Sequence, residues 1–296
     1  MPRATSQRLF ASRLRAADSH VGQTSSEPTV LFLGEPMETV SVEFISEGAY
    51  VRGRFFAAAG MTPATTLLLF PGWPGDPDDV LGLGALLAER GTNVCMFNFR
   101  GLQQSEGIHS HANALQDIGA ALHWLRQADV QRRLGVDPTR LALGAHCYGG
   151  GMAMAYAAQD PSVRRVISIA GNDHGEFARE LQRNPAFAEA IRRSMLSTRR
   201  PEGPAAFDYD AGIKELIDHQ DVYGLRENAT KLTDRSILLL GGWEDEQVTI
   251  DQFLLPLYRA LSGAGDVTFL VYHTDHEFSN VRQRLASDIA GWLLRD

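Results

Sequence analysis

Six short runs, nearly continuous in apolar residues, recur along the chain: "TTLLLF" (65–70), "TNVCMFNF" (92–99), "RLALG" (140–144), "VRRVISIA" (163–170), "SILLLG" (236–241) and "VTFLVY" (267–272). Runs this short and this apolar read as strands covered on both faces, because a strand wet on one side would alternate. Between most of them the spacing is helical. Leu115, Ile118, Leu122 and Leu125, for example, place one apolar stripe on a helix from about Ala112 to Ala128. Strands and helices in alternation predict an α/β protein with a mostly parallel, doubly wound sheet. Upstream, Val40, Val42 and Phe44 alternate with polar neighbours, "SEGAY" turns, and "YVRGRFFA" returns, which adds an N-terminal antiparallel hairpin and makes eight strands in all.

One interval breaks the rhythm. About sixty residues separate Ala170 from Ser236, too many for a simple crossover. They include helix-like stretches such as "EFARELQRNPAFAEAIRRSML" and a loop punctuated by Pro and Gly, "STRRPEGPAAFDYD". The expected organisation is therefore an N-terminal extension over 1–37, a core over 38–171 and 235–296, and a helical cap or lid over 172–234. The first residues, rich in Arg and Ser, are expected to form a frayed or surface-docked arm.

Composition narrows the partners. A hydrophobic fraction of 44% and a charged fraction of 22% are those of an ordinary globular domain. A net charge of -8 with no basic block argues against nucleic acid or an anionic membrane as partner. No apolar run approaches the roughly 20 residues that span a bilayer. The two cysteines, Cys95 and Cys147, form neither a disulfide framework nor a zinc-ligand spacing, which points to a reducing compartment, the cytoplasm. No nucleotide loop or metal cluster is evident, so neither cofactor nor metal is expected. Oligomeric state is not legible.

In an open α/β sheet, ligands collect beyond the carboxyl ends of the strands. Three such ends carry reactive side chains. In "LALGAHCYGGGMAMAY" an apolar run passes through His146, Cys147 and Tyr148 into three glycines and a helix-like stretch. A residue on so tight a turn is strained, and its neighbours two before and two after, Ala145 and Gly149, are small as the turn requires. A helix N-terminus there favours thiolate over thiol. In "LLLGGWEDEQV" the strand delivers Asp245, and in "FLVYHTDHEFSNV" the last strand is followed by His273, read as structural, and His276, placed to turn back over the sheet edge. Cys95, mid-strand, is core. His146 is expected to pack or orient. Asp173 and His174 face substrate or cap a helix, the second being favoured. Trp73 is expected to line an acyl pocket.

The order 147, 245, 276, each after a separate strand, resembles the α/β-hydrolase superfamily. The likeness runs from about Glu38 to Trp292 and includes "LFPGWPG", similar to its oxyanion loop with Pro71 in place of the frequent His, "FNFRGLQQSEG", similar to the segment after its fourth strand, and "TDHEF", similar to its catalytic-histidine loop. It implies Cys147 as nucleophile, His276 as base, Asp245 as the group that orients the base, and backbone N–H groups of Trp73 and Tyr148 as the oxyanion hole. Cysteine in place of serine resembles the dienelactone hydrolases, and the fold implied is also that of the prolyl-oligopeptidase-like branch. A thiolate is itself a good leaving group, so the expected substrates are small carboxylic esters, lactones or thioesters rather than peptides, hydrolysed or passed to an acceptor through an acyl-cysteine. Two other readings stay open: a serine esterase or peptidase of the same fold carrying an engineered Ser-to-Cys change at 147, and an inactive hydrolase-fold protein that binds a ligand.

Overall fold

The computed structural model describes residues 39–60 and 62–295. The expected N-terminal extension over 1–37 lies outside the described residues. One sheet holds eight strands, β1 (Thr39–Ser46), β2 (Ala49–Phe56), β3 (Ala64–Phe70), β4 (Asn93–Phe97), β5 (Val136–His146), β6 (Arg165–Ile169), β7 (Ser236–Gly242) and β8 (Asp266–Tyr272), in the order β1-β2-β4-β3-β5-β6-β7-β8. The β1–β2 hairpin is antiparallel and joins β4 antiparallel; from β4 to β8 every pairing is parallel. The strand order reverses where β3 is flanked by β4 and β5. Beyond the carboxyl ends of β3 and β5 a crevice must therefore open, because the chain leaves toward opposite sides there.

Alternate residues of each central strand feed two separate cores. Leu68, Phe70, Cys95 and Phe97 face α2 (His111–Leu125), α3 (Ala128–Leu134) and α4 (Cys147–Ala157), while Leu67, Leu69, Val94 and Met96 face α1 (Leu83–Ala88) and α10 (Arg282–Leu293). β3 and β4 are buried at every position, so their sequences carry no polar alternation. The stripe predicted from Ala112 to Ala128 is shorter than expected. It ends at Leu125, since Gln127 turns extended and a second helix, α3, starts at Ala128 to bury Val130 and Leu134.

The interval between β6 and β7 holds α5 (His174–Arg183), α6 (Pro185–Ser197), α7 (Tyr209–Asp218) and α8 (Gln220–Tyr223). The long helical stretch breaks at Asn184, whose Oδ1 accepts the N–H of Phe187 and whose successor, Pro185, has no N–H to continue the earlier helix. This interval is tied to the core. Glu215 on α7 accepts the main-chain N–H groups of His111 and Ala112 at 3.2 and 2.6 Å, placing a carboxylate at the start of α2. No helix among the described residues is long and apolar enough to cross a membrane.

Behind β4, Arg100 and Asp117 form a buried ion pair. Asp117 accepts from Arg100 Nε at 2.6 Å and from its main-chain N–H at 2.8 Å, and the guanidinium also donates to the Asn113 carbonyl and Gln116. Removing one partner strands the other charge in the core. Asp117→Ala is expected to lower unfolding free energy by ~3 to 5 kcal/mol, read as a fall in the urea midpoint.

Candidate active site

β5 ends at His146 and α4 begins at once with Cys147, whose φ is 53°. A non-glycine residue is held there only if its surroundings enforce it. They do so by closeness. A Cβ on Gly149 would stand 2.4 Å from the Pro71 carbonyl oxygen, and one on Gly72 would stand 2.8 Å from the Cβ of Cys147. The small neighbours read from the sequence thus let the β3 loop lie against the turn. The Asn172 N–H donates to the Cys147 carbonyl at 3.1 Å, and Cys147 is half-buried, so its thiol reaches the crevice while its backbone is locked.

The acid and base loops are zipped together by main-chain bonds that prolong the β7–β8 pairing. Trp243 donates to the Tyr272 carbonyl and Glu244 to that of Thr274, at 2.7 and 3.0 Å. Asp245 is buried there with its carboxylate fully used. Oδ1 accepts from the N–H groups of Gln247 and Val248 at 2.7 and 2.9 Å, and Oδ2 accepts from His276 Nδ1 at 2.7 Å. The other side of the imidazole faces Cys147. Burial pushes His276 down, but hydrogen bonds to Asp245 and Cys147, and the charges of both, outweigh it and hold the imidazolium up to about 10.

A cavity of about 120 Å³ opens on this pair, lined in part by Gly72, Trp73, His146, Cys147, Gln247 and His276. Trp73 is among the lining residues. Its indole Nε1 donates to Thr198 Oγ1 at 3.1 Å, and its ring meets Phe207 edge-on at 4.8 Å, so the segment between β6 and β7 holds it in place. The side chain of Tyr148 points away from the cavity into a buried layer, its hydroxyl 3.1 Å from His109 Nε2. His146 does orient. It is 6% exposed, its Nε2 donates to the His276 carbonyl at 2.9 Å, and the two rings lie 4.6 Å apart. Asp173 caps α5, accepting from Gly175 and Glu176, and also pairs with Arg226. His174 lies beneath it, donating to the Tyr148 carbonyl at 3.1 Å, outside the cavity. His273 is exposed and Cys95 is buried in the core.

Two groups of residues escaped the sequence reading. His109, in the loop after β4, and His111, the first residue of α2, pack with Tyr148 and His174, ring centroids 5.0 to 5.5 Å apart. Burial pushes His109 and His174 down to about 4 and His111 well below its ordinary value, so all three are neutral. Nothing in the local pattern marks them, because only the path of the loop brings them under α5. The second group is a cluster of potential metal ligands where none was expected. His146, His276 and Glu277 each offer a ligand atom within 4.8 Å of the others. Two of the three are adjacent in sequence; the sheet supplies the third.

The sequence pattern of the alpha/beta hydrolase fold matches residues 65–197, which takes in the Trp73 loop and Cys147 and stops before Asp245 and His276. Among solved structures, the hypothetical protein PA2218 from Pseudomonas aeruginosa superposes with a TM-score of 0.65 at 16% identity, covering 88% of this chain and 94% of that one. Est1E from Butyrivibrio proteoclasticus gives 0.62 at 12% identity, over 86% and 97%. The chain has the α/β-hydrolase fold. The uncharacterized protein YfhR of Salmonella typhi is 31% identical over 124 residues, 40% of this chain and 41% of its own length. The chain thus aligns with under half the length of this relative. Identities of 12 to 16% carry the architecture and leave the chemistry to be argued from the side chains.

Proposed function

We propose that this hydrolase-fold protein cleaves small carboxylic esters, lactones or thioesters through an acyl-cysteine at Cys147, passing the acyl group to water or to another acceptor. The observation that carries the reading is Cys147 at a φ of 53° on the cavity floor, against an imidazole that also holds the buried Asp245. With the proton of the pair resting on His276, the sulfur attacks the carbonyl carbon, and the charge moves to the carbonyl oxygen. As that adduct collapses, the imidazolium gives its proton to the departing alkoxide or thiolate. Water then attacks the thioester, His276 accepts its proton, and the carboxylic acid leaves with the thiol restored.

The oxyanion donors in this reading are the main-chain N–H groups of Trp73 and Tyr148. Tyr148 is the second residue of α4, so its N–H has no carbonyl four residues back within the helix. Each such donor is worth roughly 3 to 4 kcal/mol of barrier in comparable sites. Acyl size follows from volume. The cavity of about 120 Å³ is small, which suits a short acyl group better than a fatty chain. We assign α5 to α8, over 172–234, the part of a cap, since Thr198 and Phe207 hold Trp73. A free thiol nucleophile also suits the cytoplasm, and cysteine at this position keeps the likeness to the dienelactone hydrolases.

Intact mass after brief exposure to a chromogenic acetyl ester tests the reading. An adduct of one acetyl mass is expected on Cys147, identified by peptide mapping and lost in Cys147→Ala. An unmodified chain across a panel of short activated esters and thioesters, with no chromophore released, would defeat it and leave a ligand-binding role.

A further inference from the structure

Two groups at the cavity have no part in acyl transfer as derived above: the Nδ1 lone pair of His146 and the carboxylate of Glu277. The first is placed with some care. The Nε2–H of His146 is committed to the His276 carbonyl at 2.9 Å, which leaves Nδ1 unprotonated, and among the described residues no hydrogen bond is made to it. Nδ1 faces the cavity. It lies 3.6 Å from the point a Cβ on Gly72 would occupy, and Cys147 Sγ lies 3.4 Å from that same point. His276 is oriented in the same way, with its Nδ1–H given to Asp245 at 2.7 Å and Nε2 turned toward Cys147, so the proton it shares with the sulfur has to leave before a metal can bind there. A metal-binding imidazole almost always donates its far N–H to a carboxylate or a backbone carbonyl, which fixes the ring and its tautomer. Here one ring has the carboxylate and the other the carbonyl.

We infer that His146, His276 and Glu277, with the sulfur of Cys147, form a Zn²⁺ site built over the nucleophile, and that the metal reversibly blocks it. One nitrogen of each imidazole and a carboxylate oxygen of Glu277 already lie within 4.8 Å of one another, while the Cys147 sulfur stands outside that spacing and has to close further. Tetrahedral zinc, with bonds of ~2.0 to 2.3 Å, needs its ligand atoms ~3.3 to 3.8 Å apart, so a modest closure is required. Glu277 is exposed and supplies it by rotating its side chain. The donor set of one thiolate, two imidazoles and one carboxylate selects zinc over magnesium or calcium, which take oxygen ligands. The reaction is a proton exchange without redox change: the metal bonds to sulfur and nitrogen, and the proton held between Cys147 and His276 leaves to solvent. His146 is 94% buried by the complement of its 6% exposure, so its ring is anchored for this role before any metal arrives.

The metal site itself stands apart from the acyl-transfer reading; only the blocking of turnover rests on it. The full chain, freed of metal by chelation, is titrated with Zn²⁺ against a chromophoric chelator, and with Co²⁺ as a spectroscopic substitute. One equivalent of zinc is expected to bind at micromolar free metal, with a sulfur-to-cobalt charge-transfer band that is absent in Cys147→Ala. Affinity is expected to fall at least about tenfold in His146→Gln and in Glu277→Gln, the second keeping the test decisive if the buried substitution disturbs the fold. Absence of stoichiometric binding overturns the proposal, as does binding of unchanged affinity in folded Glu277→Gln, which would place the metal elsewhere. Zinc bound as described while ester turnover continues would overturn the blocking role. Zinc bound as described in a chain that turns over no ester would sustain the site and sink the acyl-transfer reading instead.

Discussion

Replacement of His276 by alanine is expected to lower kcat/KM for a short activated ester by ~10⁴ to 10⁶-fold, with Cys147→Ala falling as far and the double variant falling little further. The reason lies in the geometry. The imidazole is held by the buried carboxylate of Asp245 and lines the same cavity as Cys147, so losing either end of the Cys147–His276 pair is expected to remove the same step. Asp245→Asn should cost less, about 10⁴-fold in kcat, because the ring keeps its place between the two loops while losing the carboxylate that sets its tautomer. Steady-state rates with a chromogenic acetyl ester measure all three. Equal and additive losses in the single and double variants would show that the two side chains act separately. Cys147→Ser adds a further arm. A large gain in ester or peptide turnover would mark serine as the residue this site is built for; a loss would mark the sulfur.

Acid should unfold the protein well before its carboxylates are protonated. Burial pushes His109 and His174 down to about 4 and His146 to about 3, and holds His111 well below its ordinary value near 6.5. A histidine whose folded value is depressed binds more protons in the unfolded chain. Its stabilising contribution is therefore complete above the unfolded value and falls away as pH drops from about 6.5 toward the folded value, by about 1.4 kcal/mol per pH unit for each ring. His276, whose folded value is raised, works the other way: its stabilising contribution grows as pH falls to about 6.5 and is full below it, so it offsets part of one ring's share of the loss. Four rings together remove several kcal/mol between pH 6.5 and 5, a large part of the ~5 to 15 kcal/mol that holds a typical domain. Thermal unfolding followed at pH 7.5 and at pH 5 is expected to show a sharp drop in midpoint. His111→Phe, which keeps a ring among Tyr148, His174 and Tyr223, is expected to flatten that dependence by one histidine's share. A midpoint unchanged across the interval would mean that these rings are already protonated in the folded chain or are not buried.

Much of this was readable before any coordinates, for reasons that differ from element to element. The six apolar runs and the alternating hairpin all became strands, but only five of the runs are covered on both faces; "VTFLVY" forms β8, the edge strand, where only Tyr272 is buried, because an apolar run marks a strand and not its place in the sheet. Cys147 was readable because a strained turn demands small neighbours, and Ala145 and Gly149 are small for that reason alone. The helix over 112–128 was read too long because an apolar stripe marks a face and not an end; Gln127 turns where no Gly or Pro announces it. The pairing of Asp245 with His276 followed from position after β7 and β8, since parallel neighbours deliver their loops to one rim.

What the linear order determined was the set of local commitments: which segments are strands, where the chain turns sharply, and which reactive side chains follow each turn. Contacts between loops were decided only by the folded arrangement. His109 and His111 reach Tyr148, His146 turns its free nitrogen beside the Cys147 sulfur, and Glu277 joins two imidazoles at one small cavity. The physical reason is range. Periodicity and turn chemistry act over a few residues, whereas the distance between two loops depends on sheet order, twist and packing of the whole domain.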